Sequence, residues 1–140
     1  MVRGVRQSVF WGAAVAWAII AGAASAAAQA GHWIGDWQQL DSNAGQCRSC
    51  RVAITGDGRT LTVTANNGWT ARVAAGIEHG LAAARGEGKW DGARTKALAD
   101  ATFHIHLVER GMRLHMAMRV ATSGRMRVIR AVFGRAWVGA

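Results

Sequence analysis

Residues 31–140 read as an all-β domain, an antiparallel up-and-down β-barrel of about eight strands, preceded by a signal peptide over residues 1–30. Three features carry that fold class. Apolar and polar residues alternate with period two through short runs rich in β-branched side chains. Gly, Asn and Asp separate those runs at hairpin spacing. Pro is absent from the chain, so no strand interior is interrupted.

The elements follow in order. Trp33 to Gln39 is the expected first strand. Arg51 to Thr55 alternates, with Val52 and Ile54 on one face, and Gly56-Asp57-Gly58 turns the chain. Thr60 to Thr64 alternates again, and Asn66-Asn67-Gly68 marks the next hairpin. Trp69 to Val73 puts Trp69, Ala71 and Val73 on one side. Ile77 to Ala84 is ambiguous: Leu81-Ala-Ala-Ala84 favours helix, yet Gly80, Gly86 and Gly88 bracket it, and a strand running into Trp90 is the expectation. Asp91 to Asp100 is small and polar, a loop with room for one helical turn. Phe103, Ile105 and Leu107 share a face of the next strand. Met112, Leu114, Met116 and Met118 share a face of the one after. Thr122-Ser123-Gly124 then leads into a last strand over Met126 to Val138, where Ile129, Ala131 and Phe133 alternate with Arg130 and Val132. Sequential hairpins of this number close into a barrel that exposes no edge.

Ahead of the barrel, Arg3 and Arg6 precede the apolar run Val9 to Gly22, and Ala24-Ser25-Ala26 and Ala28-Gln29-Ala30 offer small-x-small cleavage sites. That order is a secretory signal, cut after Ala30 or Ala26, and it implies a periplasmic or secreted protein. The alternative is an uncleaved anchor, since the apolar stretch approaches the roughly 20 residues that span a bilayer. Removing Arg3 and Arg6 leaves 15 of the 17 basic residues against 8 acidic ones, a net of +7. Such an excess favours anionic envelope surfaces or an acidic protein over nucleic acid, which an exported chain rarely meets. It is also what a solvated, Arg-rich face looks like.

The only cysteines, Cys47 and Cys50, stand in Cys-Arg-Ser-Cys-Arg. Outside the cytoplasm a pair this close is expected to oxidise. Arg51 occupies the position where haem c attachment needs His, and two cysteines are too few for a four-cysteine zinc site.

Gly35-Asp36-Trp37 on the first strand and Arg135 on the last resemble the lipocalin and calycin pattern, in which an N-terminal Trp packs under an Arg from the final strand. A second G-x-W occurs at Gly88-Lys89-Trp90, and the short chain is nearer avidin-like barrels in length. The resemblance implies a small apolar ligand in the barrel mouth and no chemistry performed on it. Trp37, Trp69 and Trp90 are the expected ligand wall, with Arg135 beside Trp37. Ala82, Ala84, Gly86 and Gly88 share the face of Trp90 and either leave a gap there or let the strand bend. Packing of a core short of Leu and Ile accounts for the same indoles.

His104 and His106 share a strand face, and His115 lies on the polar face of the next strand. A two-residue Arg110-Gly111 loop sets His106 opposite His115, and a four-residue loop sets His104 there instead. Either register gathers three imidazoles near enough to share zinc or copper. Arg113 and Arg119 lie on the same face and oppose a cation, so a solvated His/Arg surface that meets an anionic partner is the competing reading. Ser42, Ser49 and Ser123 lack a nucleophile motif, and no carboxylate pair or phosphate loop appears. The expectation is therefore a binding module without catalysis or cofactor. It does not span the membrane once processed, because most runs are shorter than the 9–11 residues of an outer-membrane strand.

Overall fold

The computed structural model describes residues 32–91, 98 and 101–136. The leader with its cleavage sites, the boundary at residue 30, Trp137 and most of the Asp91–Asp100 connection lie outside the described residues.

Eight strands run in chain order: β1 Gly35–Ser42, β2 Arg51–Gly56, β3 Thr60–Ala65, β4 Trp69–Glu78, β5 Leu81–Trp90, β6 Thr102–Arg110, β7 Arg113–Thr122 and β8 Arg125–Arg135. Each pairs antiparallel with its sequence neighbour, and β1 pairs with β8 to close the barrel. The register of β1 against β8 shifts between Gln39 and Asp41, a bulge that bends β1 at the seam.

Period-two alternation sorts the side chains. Val52, Ile54, Leu61, Val63, Ala71, Val73, Phe103, Ile105, Leu107, Leu114, Met116, Met118 and Phe133 all point inward and are buried. The outward row Thr62, Arg72, Glu87, His104 and Arg119 crosses five neighbouring strands. Charge outside and hydrocarbon inside is the reverse of a lipid-facing barrel. No helix among the described residues is long and apolar enough to cross a membrane.

Four expectations change. Trp33 precedes β1 and sits in a turn, completely buried. The expected strand into Trp90 is present as β5, but it begins at Leu81, and Ile77 belongs to the end of β4 across a turn at His79-Gly80. Both residues have positive φ (50° and 77°), as a tight two-residue turn between twisted strands requires. Met112 does not join its apolar neighbours; it lies at the β6–β7 turn and is 86% exposed. The last strand ends at Arg135 rather than Val138.

Gly86 and Gly88 leave no gap. They pair with Val73 and Ala71, and a Cβ on Gly86 would enter the Arg72 carbonyl. One on Gly88 would enter the Phe103 ring and the Thr70 carbonyl. The volume the glycines give up is occupied by the neighbouring strand and by Phe103.

Candidate functional site

One end of the barrel is sealed by its own side chains. At the sealed end lie the starts of β1, β3, β5 and β7. There the Arg135 guanidinium lies 4.2 Å from the centre of the Trp37 ring and donates to the Ile34 carbonyl at 2.9 Å. Trp37 donates its indole N–H to the Trp33 carbonyl at 2.8 Å, and Trp33 donates its own to the Glu109 carboxylate. His32 contacts the same carboxylate. Trp37 and Arg135 therefore plug the base.

The opposite end carries the Ser42–Arg51 connection, the Asn66–Gly68 hairpin and the β7–β8 turn, with the β5–β6 connection, most of which lies outside the described residues. Trp69 and Trp90 are directly paired across β4 and β5, both facing inward, and Trp69 meets Phe103 edge-on with centroids 5.6 Å apart. They line a cavity of about 70 Å³ whose other walls include Met116, Met118 and Phe133. Among the described residues the buried indole nitrogen of Trp90 has no hydrogen-bond acceptor. A buried donor without an acceptor costs about 1–3 kcal/mol. Trp69 and Trp90 share a site; Trp37 and Arg135 are at the other end of the barrel.

A strapped loop roofs that cavity. The sulfurs of Cys47 and Cys50 lie at disulfide distance, with Cα atoms 5.3 Å apart. Asn43 donates to the Val128 carbonyl (3.0 Å) and accepts from the Arg130 amide (2.8 Å), tying the loop to β8. Asn66 donates to the Ser49 carbonyl (2.7 Å) and accepts from the Arg51 amide (2.9 Å), tying the loop and the start of β2 to the β3–β4 hairpin. Asn66 is also the first residue of its hairpin signal, and its strap function has no separate signature in the sequence.

The three histidines do not converge. The β6–β7 turn is Gly111-Met112 with Arg110 opposite Arg113, so His104 faces Arg119, His106 faces Ala117 and His115 faces Val108. That register is one hairpin step beyond the one set by a two-residue Arg110-Gly111 loop and two steps beyond the one set by a four-residue loop; it leaves His115 diagonal to His106 and two steps from His104. His106 instead meets Glu78 at 2.8 Å, and His104 lies 3.3 Å from Glu87. Among the described residues no three of His, Cys, Asp and Glu are placed to hold a metal ion. Glu78 also accepts from Arg85, and that hydrogen bond holds its carboxyl far below the usual range, at about 2, with His106 adding to the effect. The same contact raises Arg85.

Glu109 is the residue that alternation alone should have singled out. It shares parity with Phe103, Ile105 and Leu107, and an acid in an inward-facing series needs a buried partner. Here that partner is Trp33.

Compared with protein-family models, curated proteins and solved structures, the chain matches none of them. The closed eight-stranded antiparallel barrel is compatible with a lipocalin-like architecture and with ligand binding.

Proposed function

We propose that this chain is an exported, lipocalin-like binding barrel. It holds the end of a small apolar or aromatic molecule at the barrel end that Trp69 and Trp90 line and performs no chemistry on it. The observation that carries this reading is the Trp90 indole N–H, buried and without an acceptor among the described residues, on a side chain that lines a cavity with Trp69, Met116 and Met118.

The cavity's 70 Å³ is well below the roughly 300–1,000 Å³ of whole-ligand pockets. A ring edge or a chain terminus bearing one carbonyl or similar acceptor fits; a complete tetrapyrrole does not. Met116 and Met118 are flexible and polarizable, so the pocket can widen as they swing and can still pack against a ring. The leader-like sequence supports export, and the Gly35-Asp36-Trp37 motif under Arg135 supports the lipocalin likeness.

The test compares acetophenone with ethylbenzene, which has a similar shape but no acceptor, while the indole N–H signals are followed by NMR. Acetophenone is expected to bind about tenfold more tightly, the value of one hydrogen bond, and to move the Trp90 N–H resonance. Trp90→Phe should remove the difference between the two probes. Failure of both probes to perturb the Trp69 and Trp90 signals at saturation rules the pocket out.

A further inference from the structure

The sealed end carries its own surface. Four of the six large hydrophobic side chains exposed among the described residues are at its rim: Met112 at 86%, Ile77 at 43%, Ile34 at 38% and Leu81 at 36%. Met112 is at the tip of the β6–β7 hairpin, between Arg110 and Arg113. Ile77 continues the inward series of Val73 and Ala75, but β3 stops pairing at Ala74, so nothing from β3 covers it. The neighbouring β4–β5 hairpin carries Ile77 and Leu81 on either side of exposed His79.

Most acids at this rim already have partners. Glu78 is held by Arg85 and His106, Glu109 by Trp33 and His32, and Asp57 accepts from the Arg59 and Thr60 amides. Asp36, outward on β1, is the one acid near this end whose side chain has no contact among the described residues. Arg110 and Arg113 have no acidic partner among the described residues. Exposed apolar tips flanked by unpaired guanidinium groups match a surface that is oily just beneath an anionic layer. The chain also joins the apolar run Val9 to Gly22 to the barrel at this end, since His32 and Gly35 are there.

We propose that the sealed end docks on an anionic phospholipid surface. Met112, Ile77 and Leu81 enter the headgroup boundary, Arg110 and Arg113 pair with phosphate groups, and the Trp69/Trp90 mouth faces away from the membrane. This docking is independent of the ligand pocket, which lies at the other end.

The test places an environment-sensitive nitrobenzoxadiazole fluorophore at Met112→Cys and, separately, at Met126→Cys near the opposite rim, in the chain as recovered after export. Vesicles of phosphatidylcholine with phosphatidylglycerol should blue-shift the probe at position 112 and leave that at 126 unchanged. Phosphatidylcholine alone, or high salt, should give little shift. Replacing Arg110 and Arg113 together by Gln should weaken partitioning about thirtyfold, taking about 1 kcal/mol for each Arg at an anionic leaflet. Equal shifts at 112 and 126 overturn the proposal. So does no shift at 112. A shift at 112 with soluble dextran sulfate that matches or exceeds the vesicle response overturns it in favour of a polyanion. A dimer that Met112→Asp dissociates, with no vesicle response, overturns it in favour of a second copy of the chain.

Discussion

Arg135 lies across the face of Trp37, 4.2 Å from guanidinium carbon to ring centre, and so clamps the last strand onto the first at the barrel seam. The same guanidinium donates to the Ile34 carbonyl, which fixes the chain where it enters β1. A cation over an indole contributes about 0.5–1 kcal/mol where it is exposed, as Arg135 is, and the hydrogen bond about as much again. Arg135→Met should therefore lower stability by about 1–2 kcal/mol. Urea unfolding should show a lower midpoint with an unchanged slope; a changed slope would mean the barrel had opened instead.

Glu109 makes a second, separable contribution at the same end. Its carboxylate accepts from the buried Trp33 indole and contacts the exposed His32. Glu109→Ala strands a buried donor and should destabilise by about 1–3 kcal/mol. Glu109→Gln keeps an acceptor and should cost less than half of that. His32→Ala should stay within about 0.5 kcal/mol, as surface changes usually do. Equal losses for the Glu109→Ala and His32→Ala variants in urea melts would assign the stability to the ion pair rather than to the indole.

The acid limb of the stability profile should carry the signature of Glu78. Its carboxyl titrates at about 2 in the folded chain, against an ordinary value near 4.5, because Arg85 and His106 bond the charged form. A depressed folded value means that the contribution is complete above about pH 4.5 and is lost as pH falls toward 2. Stability measured across that window should fall less steeply in Glu78→Gln than in the parent. The group is solvent-accessible, so the difference should shrink in high salt. Parallel acid limbs would disconnect Glu78 from acid sensitivity.

Much of this arrangement is legible in the sequence, because strand parity is a strict rule. Once Phe103, Ile105 and Leu107 are read as inward, Glu109 must follow them, and Arg135 must follow Ile129 and Phe133 toward Trp37. What resists reading is hairpin register. Arg110-Gly111 and Gly111-Met112 are equally plausible two-residue turns, yet choosing one over the other moves His115 by a full step and dissolves the expected histidine cluster. His79-Gly80 is obscured for another reason: Leu81 to Ala84 has helix propensity, and only tertiary pairing with β4 and β6 turns it into strand. The Gly86/Gly88 stretch carries a third kind of ambiguity. Composition says that volume is missing, and only the fold says that Phe103 and the Arg72 backbone occupy it.

The disulfide should matter more to the roof of the mouth than to the barrel. Cross-linking Cys47 to Cys50 closes a very short loop, so on chain-entropy grounds it contributes about 2 kcal/mol at most. Asn43 and Asn66 hold both flanks of that loop independently. Replacing both cysteines by Ser should therefore lower the melting temperature only modestly. Hydrogen exchange should rise locally, at the Cys50 amide that donates to the Cys47 carbonyl and around Gly45. Uniformly faster exchange through β4 to β7 would show that the bridge supports the whole barrel.

Gly88 tests whether β5 needs glycine where Phe103 and β4 approach it. Its inward side is filled by the Phe103 ring and the Thr70 carbonyl, so an added methyl group has nowhere to go. Phe103 is itself fixed edge-on against Trp69 and is 2% exposed. Gly88→Ala should thus destabilise by about 1–3 kcal/mol through overpacking, although Ala ordinarily suits a strand better than Gly. Phe103→Leu alone should also destabilise, by leaving a void beside Trp69. Combined, the two changes should cost less than the sum of their separate effects, because the smaller side chain makes room for the new methyl. Urea unfolding of the parent, both single variants and the double variant gives the coupling directly. Strict additivity would mean that the backbone at Thr70, rather than the Phe103 ring, is what excludes a side chain at position 88.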